Sequence, residues 1–134
     1  MIIGEKYTNS KYKKNLFIIE DDIGIQELYK QFFKFNDWKI IGKSQNGTEG
    51  LNQYFKLAKK PSIVILDHNL PGLSGIHIAK EIRKHVPNQK ILFISADCDN
   101  LSSVKNLKGT QYLSKPFSLS NLLHKVESLH YLGK

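Results

Sequence analysis

The stretch Ile63-Val64-Ile65-Leu66-Asp67-His68-Asn69-Leu70-Pro71-Gly72 decides the fold. An unbroken apolar, β-branched run of this length is a strand buried on both faces, the environment of a parallel sheet. It ends in an acid, and a Pro-Gly turn follows. In open α/β sheets ligands bind just beyond the carboxyl ends of the strands. Asp67 stands at that edge.

Three further segments have the same form. Leu16-Phe17-Ile18-Ile19 runs into Glu20-Asp21-Asp22, Ile91-Leu92-Phe93-Ile94 into Ser95-Ala96, and Tyr112-Leu113-Ser114 into Lys115-Pro116. If these strands are parallel, carboxylates, a hydroxyl and an ammonium gather on one edge of one sheet. A single strand ending in Asp means little; four such ends together suit a phosphate or a cation.

The intervening segments read as helices. Asp22 caps a helix from Ile23 to about Phe35, with Ile25, Leu28, Phe32 and Phe35 as its apolar stripe. Asn36-Asp37 turn into a second strand, Trp38–Lys43, whose alternation places it at the sheet edge. Thr48 can cap the next helix, with Leu51, Phe55 and Ala58 inward and Tyr54 beside them; Pro61 ends that unit. A third helix spans Gly75 to His85, with Ile76, Ala79, Ile82 and Val86 inward. The acids of 97–100 can cap a short fourth helix over Leu101–Lys108, stopped by Gly109. Ser118 opens the last helix, with Leu119, Leu122, Leu123, Val126 and Leu129 inward and Gly133 at its end. Strand and helix alternate five times, which predicts a five-stranded parallel sheet covered on both faces. The expected strand order is 2-1-3-4-5, with Asp67 and the Glu20-Asp21 pair flanking the switch point.

The chain of 134 residues suffices for one domain with a real core. Residues 1–14 read as a basic, mobile arm, four lysines against Glu5, and residues 15–132 as the folded domain. No apolar run reaches membrane-spanning length, and the N-terminus lacks the apolar core of a signal peptide. Cys98 is the single cysteine, so no internal disulfide forms; a cytoplasmic setting follows, and Cys98 itself reads as incidental. The net charge of +8 fits a lysine-rich, soluble surface or an acidic partner. The basic residues look scattered along the chain, without an aromatic-basic strip for base stacking, so DNA contact is not expected.

Glu20, Asp21 and Asp67 would meet within several ångströms. Like charges that close repel by about one to a few kcal/mol per pair. A divalent cation, the Lys115 ammonium or a proton must offset this. Hard oxygen ligands with water positions left open suit Mg²⁺, held by two acids and a backbone carbonyl and completed by a phosphate. A carboxylate can itself be the nucleophile of phosphoryl transfer, and Asp67 is central. Lys115 would pair with a phosphoryl oxygen, while the Ser95 hydroxyl and the Ala96 backbone N–H donate to others. Each residue also has a plain structural reading. Asp22 is a helix cap, Ser95 a strand end, and Lys115 a solvated charge before proline.

With Glu20-Asp21, Asp67, Asn69, Pro71, Gly75, Ser95-Ala96, Tyr112 and Lys115-Pro116-Phe117 in this order, the sequence resembles the response-regulator receiver domains of two-component systems, the CheY-like family. The resemblance runs from Asn15 to Leu132. It implies a flavodoxin-like three-layer sandwich with five helices. It further implies that Asp67 accepts phosphate from a sensor histidine kinase or histidine phosphotransfer protein. By the family pattern Asp21, Asp67 and the Asn69 carbonyl bind Mg²⁺, and Glu20 acts mostly through water. Ser95 and Tyr112 would be the switch pair, altering the surface of the fourth helix, fifth strand and last helix for a downstream output protein. Two departures stand out. The fourth helix is short, and from Asn100 onward there are five lysines against Glu127 alone, which favours an acidic output partner. A haloacid-dehalogenase-like phosphatase would want a second Asp where Asn69 stands, and a cap domain. A receiver-like binding module working without phosphorylation is the other alternative, which the intact acids and Lys115 oppose.

Overall fold

The computed structural model describes residues 14–96 and 108–131. The arm as far as residue 13, the loop bearing Cys98, the fourth helix apart from Lys108, and Gly133 lie outside the described residues. Five strands, β1 (Asn15–Ile19), β2 (Lys39–Ser44), β3 (Ile63–Asp67), β4 (Lys90–Ser95) and β5 (Thr110–Ser114), form one parallel sheet in the order β2-β1-β3-β4-β5. Among the described residues the helices are α1 (Ile23–Phe35), α2 (Gly47–Lys56), α3 (Gly75–His85) and the last helix, α4 (Leu119–Tyr131).

Strand periodicity of two splits the core. Leu16, Ile18, Ile63, Ile65, Leu92 and Ile94 face one cluster with Tyr29 and Phe33 of α1 and Leu122, Val126 and Leu129 of α4. Phe17, Ile19, Val64, Leu66, Ile91 and Phe93 face the other, with Tyr54 of α2 and Ile78, Ala79 and Ile82 of α3. Every residue of β3 is buried, which is why that segment carries no polar alternation.

The inward faces of α1, α2 and α3 keep part of the stripes that spacing suggested, with Ile25, Phe32, Leu51, Ala79 and Ile82 in or against the core clusters, and shift for the rest. On α1 the buried residues are Gln26, Tyr29 and Phe33, while Leu28 is 47% and Phe35 87% exposed. Two apolar stripes lie side by side there, about one residue apart in rotation. The inner one wins because Gln26 finds backbone carbonyls to bond and Tyr29 brings a ring. On α2, Tyr54 is fully buried, Phe55 is partly exposed, and Ala58 lies past the helix end. Asn46, not Thr48, caps α2: its side chain accepts from the Glu49 N–H at 2.8 Å. Asn46 has the extended backbone a cap needs, whereas Thr48 is already inside the helix. On α3, Ile78 is buried outright and Ile76 and Val86 only in part. Asp22 caps α1, accepting from the Ile25 N–H at 3.1 Å, and Ser74 caps α3.

The β1–β2 ladder slips by one residue. Leu16 pairs with Ile40 but Phe17 with Gly42, leaving Ile41 as the extra residue. A Cβ at Gly42 would lie 2.6 Å from the Phe17 ring, so this position has room for glycine alone. Beyond the slip, Ser44 comes level with Ile19.

Candidate phosphoryl and metal site

The strand ends deliver the predicted groups to one corner. Asp67 closes β3 and is 3% exposed; Glu20 follows β1 and is 4% exposed; Asp21 is open to solvent. One carboxylate oxygen from each of Glu20, Asp21 and Asp67 lies within 4.8 Å of the others. Lys115 follows β5 and places its Nζ 3.3 Å from Asp67 Oδ2. The Asn69 N–H donates to Asp67 Oδ1 at 3.1 Å, so the turn after β3 fixes the carboxylate from its other side. The Lys115–Pro116 peptide is cis.

Electrostatics follow the crowding. Burial, the Asp67 charge and the contact with Asp21 push the Glu20 carboxyl up to about 7, against the pull of the Asp22 N–H and Lys115. The corner therefore holds more negative charge than Lys115 offsets. A hard divalent cation fits this donor set: carboxylate oxygens converge, and one acid, Asp21, opens to solvent where water can complete the coordination.

Ser95 ends β4 fully buried, and its carbonyl accepts from the Lys115 N–H at 2.9 Å. Ala96, next in the chain, is exposed. Tyr112 is half-buried on β5, opposite Phe93 in register, and its ring stacks on the Phe93 ring at 5.9 Å and 9°. By strand parity Phe93, Ser95 and Tyr112 share the sheet face covered by α2 and α3.

Gln26 was not legible as a site residue. It is buried on α1, and its Nε2 donates to the Glu20 carbonyl at 2.7 Å and the Ser44 carbonyl at 2.8 Å. With the Glu20 N–H donating to the Ser44 carbonyl at 3.0 Å, this bracket fixes where β1 releases the acid pair. The available signal was spacing: Gln26 falls in line with Tyr29 and Phe33 on one helical face. His68 follows Asp67 directly in the chain. Its buried Nδ1 has no hydrogen-bond partner among the described residues.

A doubly covered parallel sheet in this strand order, with acids and a lysine at its carboxyl edge, is an α/β domain whose donor set suits a divalent cation. Residues 16–127 match the response regulator receiver domain family, and the chain belongs to it: a signalling domain of two-component systems, not an ordinary enzyme. The chain is 30% identical over 123 residues to the chemotaxis protein CheY of Thermotoga maritima, covering 90% of this chain and 98% of that one. It is 29% identical over 116 residues to the transcriptional regulatory protein CssR of Bacillus subtilis, and there it spans 85% of its own length but only 50% of CssR. Among solved structures, the CheX-CheY-BeF3-Mg²⁺ complex from Borrelia burgdorferi superposes with a TM-score of 0.78 at 26% identity, covering 86% of this chain and 87% of that one. Among the described residues no helix is long and apolar enough to cross a membrane.

Proposed function

We propose that Asp67 is a phosphoacceptor, taking a phosphoryl group from the phosphohistidine of a sensor kinase or phosphotransfer protein in the cytoplasm. The carrying observation is the buried Asp67 carboxylate held between the Asn69 N–H and the Lys115 ammonium. An Asp67 oxygen attacks phosphorus, the bond to the donor nitrogen breaks, and the electron pair returns to the imidazole. Lys115, already at the carboxylate, pairs with a phosphoryl oxygen as charge leaves the carboxylate. Glu20, Asp21, Asp67 and the Asn69 carbonyl would hold Mg²⁺. When bound, Mg²⁺ neutralises negative charge on the transferring group. The Ala96 N–H and the Ser95 hydroxyl would donate to the remaining phosphoryl oxygens.

A protein donor has a surface to meet. A cleft lined by Ile25, Leu28, Tyr29, Phe117 and Leu119 adjoins Glu20, Asp21 and Lys115. Its apolar side is the outer stripe of α1, left open at Leu28. Output would come from Ser95 and Tyr112, which share one sheet face on the paired strands β4 and β5. A ligand shifts an equilibrium only by its differential affinity for two states, and the Ser95 hydroxyl bond would supply that difference. The downstream protein would be an acidic partner read through the basic stretch from Asn100 onward, without DNA contact by this chain.

The test is intact-mass measurement after incubation with acetyl phosphate and Mg²⁺. One phosphoryl adduct is expected on the parent and none on Asp67→Asn; an undiminished adduct on Asp67→Asn would remove the assignment. Ser95→Ala should still be labelled, yet lose the beryllofluoride-induced amide shifts over Tyr112–Lys125 that the parent shows.

A further inference from the structure

The lysines that look scattered along the sequence are sorted by the fold. Residues 50–66 contain Lys56, Lys59 and Lys60 and no acid; residues 68–96 contain Lys80, Arg83, Lys84 and Lys90 against Glu81 alone. α2 and α3 lie side by side on one face of the sheet, and their C-terminal ends meet where the Phe55 and His85 rings pack edge to face at 5.0 Å. Helix ends favour cations, and part of the charge is accounted for in that way. Lys60 Nζ donates to the carbonyls of Tyr54, Phe55 and Leu57. Arg83 is likewise occupied by the Gln89 and Gly109 carbonyls and the Thr110 hydroxyl.

The rest is not accounted for. Lys56, Lys59 and Lys80 are exposed, and none has a carboxylate within ion-pair distance among the described residues. Lys84 is itself well exposed and pairs at i, i+3 with half-buried Glu81, a surface pairing of little strength. Phe55, next to Lys56 in the chain and packed on the His85 ring beside Lys84, is 37% exposed, a large apolar side chain at the cationic helix ends. An apolar anchor within a charged border is the anatomy of a protein interface. Nucleic acid would want a groove that tracks the backbone and cations that fork onto phosphate. Here the surface is the outside of two helices, and its arginine is already bonded internally.

We propose that the C-terminal ends of α2 and α3 form a docking face for an acidic protein segment, one that sets carboxylates against Lys56, Lys59 and Lys84 and an apolar side chain against Phe55. This face adjoins the start of β3, whereas Asp67 closes that strand about 13 Å away. Docking here is therefore independent of the phosphorylation state and distinct from the output surface proposed above. It acts as a tether that holds the domain near its partner in either state.

The test follows amide shifts of the full chain during titration with a synthetic, glutamate-rich amphipathic peptide of about 20 residues. Saturable shifts are expected at Phe55, Lys56, Lys59, Lys84 and His85. The dissociation constant should rise about tenfold in Lys56→Gln/Lys59→Gln and with added salt. It should be unchanged in Lys30→Gln/Lys34→Gln on α1 and on adding beryllofluoride with Mg²⁺. Phe55→Ser should weaken binding while the salt dependence persists. Shifts spread equally over the lysines of α1 would overturn the proposal, as would tighter binding of a single-stranded DNA oligomer of equal charge at the same residues. The assay requires no phosphoryl transfer, so failure of the Asp67 assignment leaves its outcome readable.

Discussion

Gly75 sits against the backbone of His68: its N–H donates to the His68 carbonyl at 3.2 Å, and a Cβ at Gly75 would lie 2.9 Å from the His68 Cα and 3.0 Å from the Asp67 carbonyl oxygen. The opposing atoms are backbone, which cannot swing aside. Gly75→Ala should therefore displace the turn that orients Asp67 and cost about 1–3 kcal/mol, read by urea denaturation. It should also slow labelling by acetyl phosphate. Parent-like stability would mean that α3 slides away without cost.

Glu20 predicts a pH dependence in the absence of divalent cation. Its ordinary value is 4.5, and in the folded domain it titrates at about 7. Between these values the folded state holds a proton that the unfolded state has released, so stability falls as pH rises through this window and levels off above it. Below the window Glu20 is protonated in both states and contributes no slope. Denaturation at about pH 5 and about pH 8 should show a loss on the order of 1–3 kcal/mol in the parent relative to Glu20→Gln. Equal slopes in the two proteins would show that Glu20 ionises freely.

Asp21 is the exposed member of the acid group. Asp21→Ala should abolish Mg²⁺ binding and labelling of Asp67. It also removes like-charge repulsion, so thermal stability without metal should rise or stay level. A large loss of stability would instead give Asp21 a structural role.

Gln26→Leu keeps the approximate volume but removes both bonds to the Glu20 and Ser44 carbonyls. A loss of about 1–3 kcal/mol is expected, the cost of buried carbonyls losing a partner. Mg²⁺ affinity should fall as well, because the release point of the acid pair loosens. Weakened folding with unchanged metal affinity would make Gln26 a core residue only.

Burial on two faces leaves an unmistakable trace, so β3 and the sheet it organises were legible in the sequence, and with them the strand ends bearing Asp67, Glu20, Asp21 and Lys115. Helix rotation was less legible. On α1, Leu28 and Phe35 make as good an apolar stripe as Tyr29 and Phe33, and the choice between them lies in Gln26, whose burial depends on the carbonyls of Glu20, just past β1, and of Ser44 in β2. The cap of α2 lies two residues before the one the sequence suggests, because Asn46 and Thr48 are both competent caps and backbone geometry decides. The cationic ends of α2 and α3 were illegible for a different reason: Lys59 and Lys84 are far apart in the chain, and it is the packing of the two helices on the sheet, with Phe55 on His85 at their ends, that brings them together.

The slipped ladder between β1 and β2 makes the acid corner sensitive to length rather than to composition. With Ile41 present but no slip, Ile19 would face Lys43, and the carbonyl meeting Glu20 and Gln26 would belong to the wrong residue. Side chains beyond that point would also exchange faces. Loss of Ile41 removes the extra residue and keeps Ser44 opposite Ile19, so the ladder absorbs that deletion, whereas an added residue between Gly42 and Ser44 pushes Ser44 out of line. An edge strand that contributes no side chain to the acid cluster thus acts as its ruler, and insertions there should disable the domain more often than the loss of Ile41.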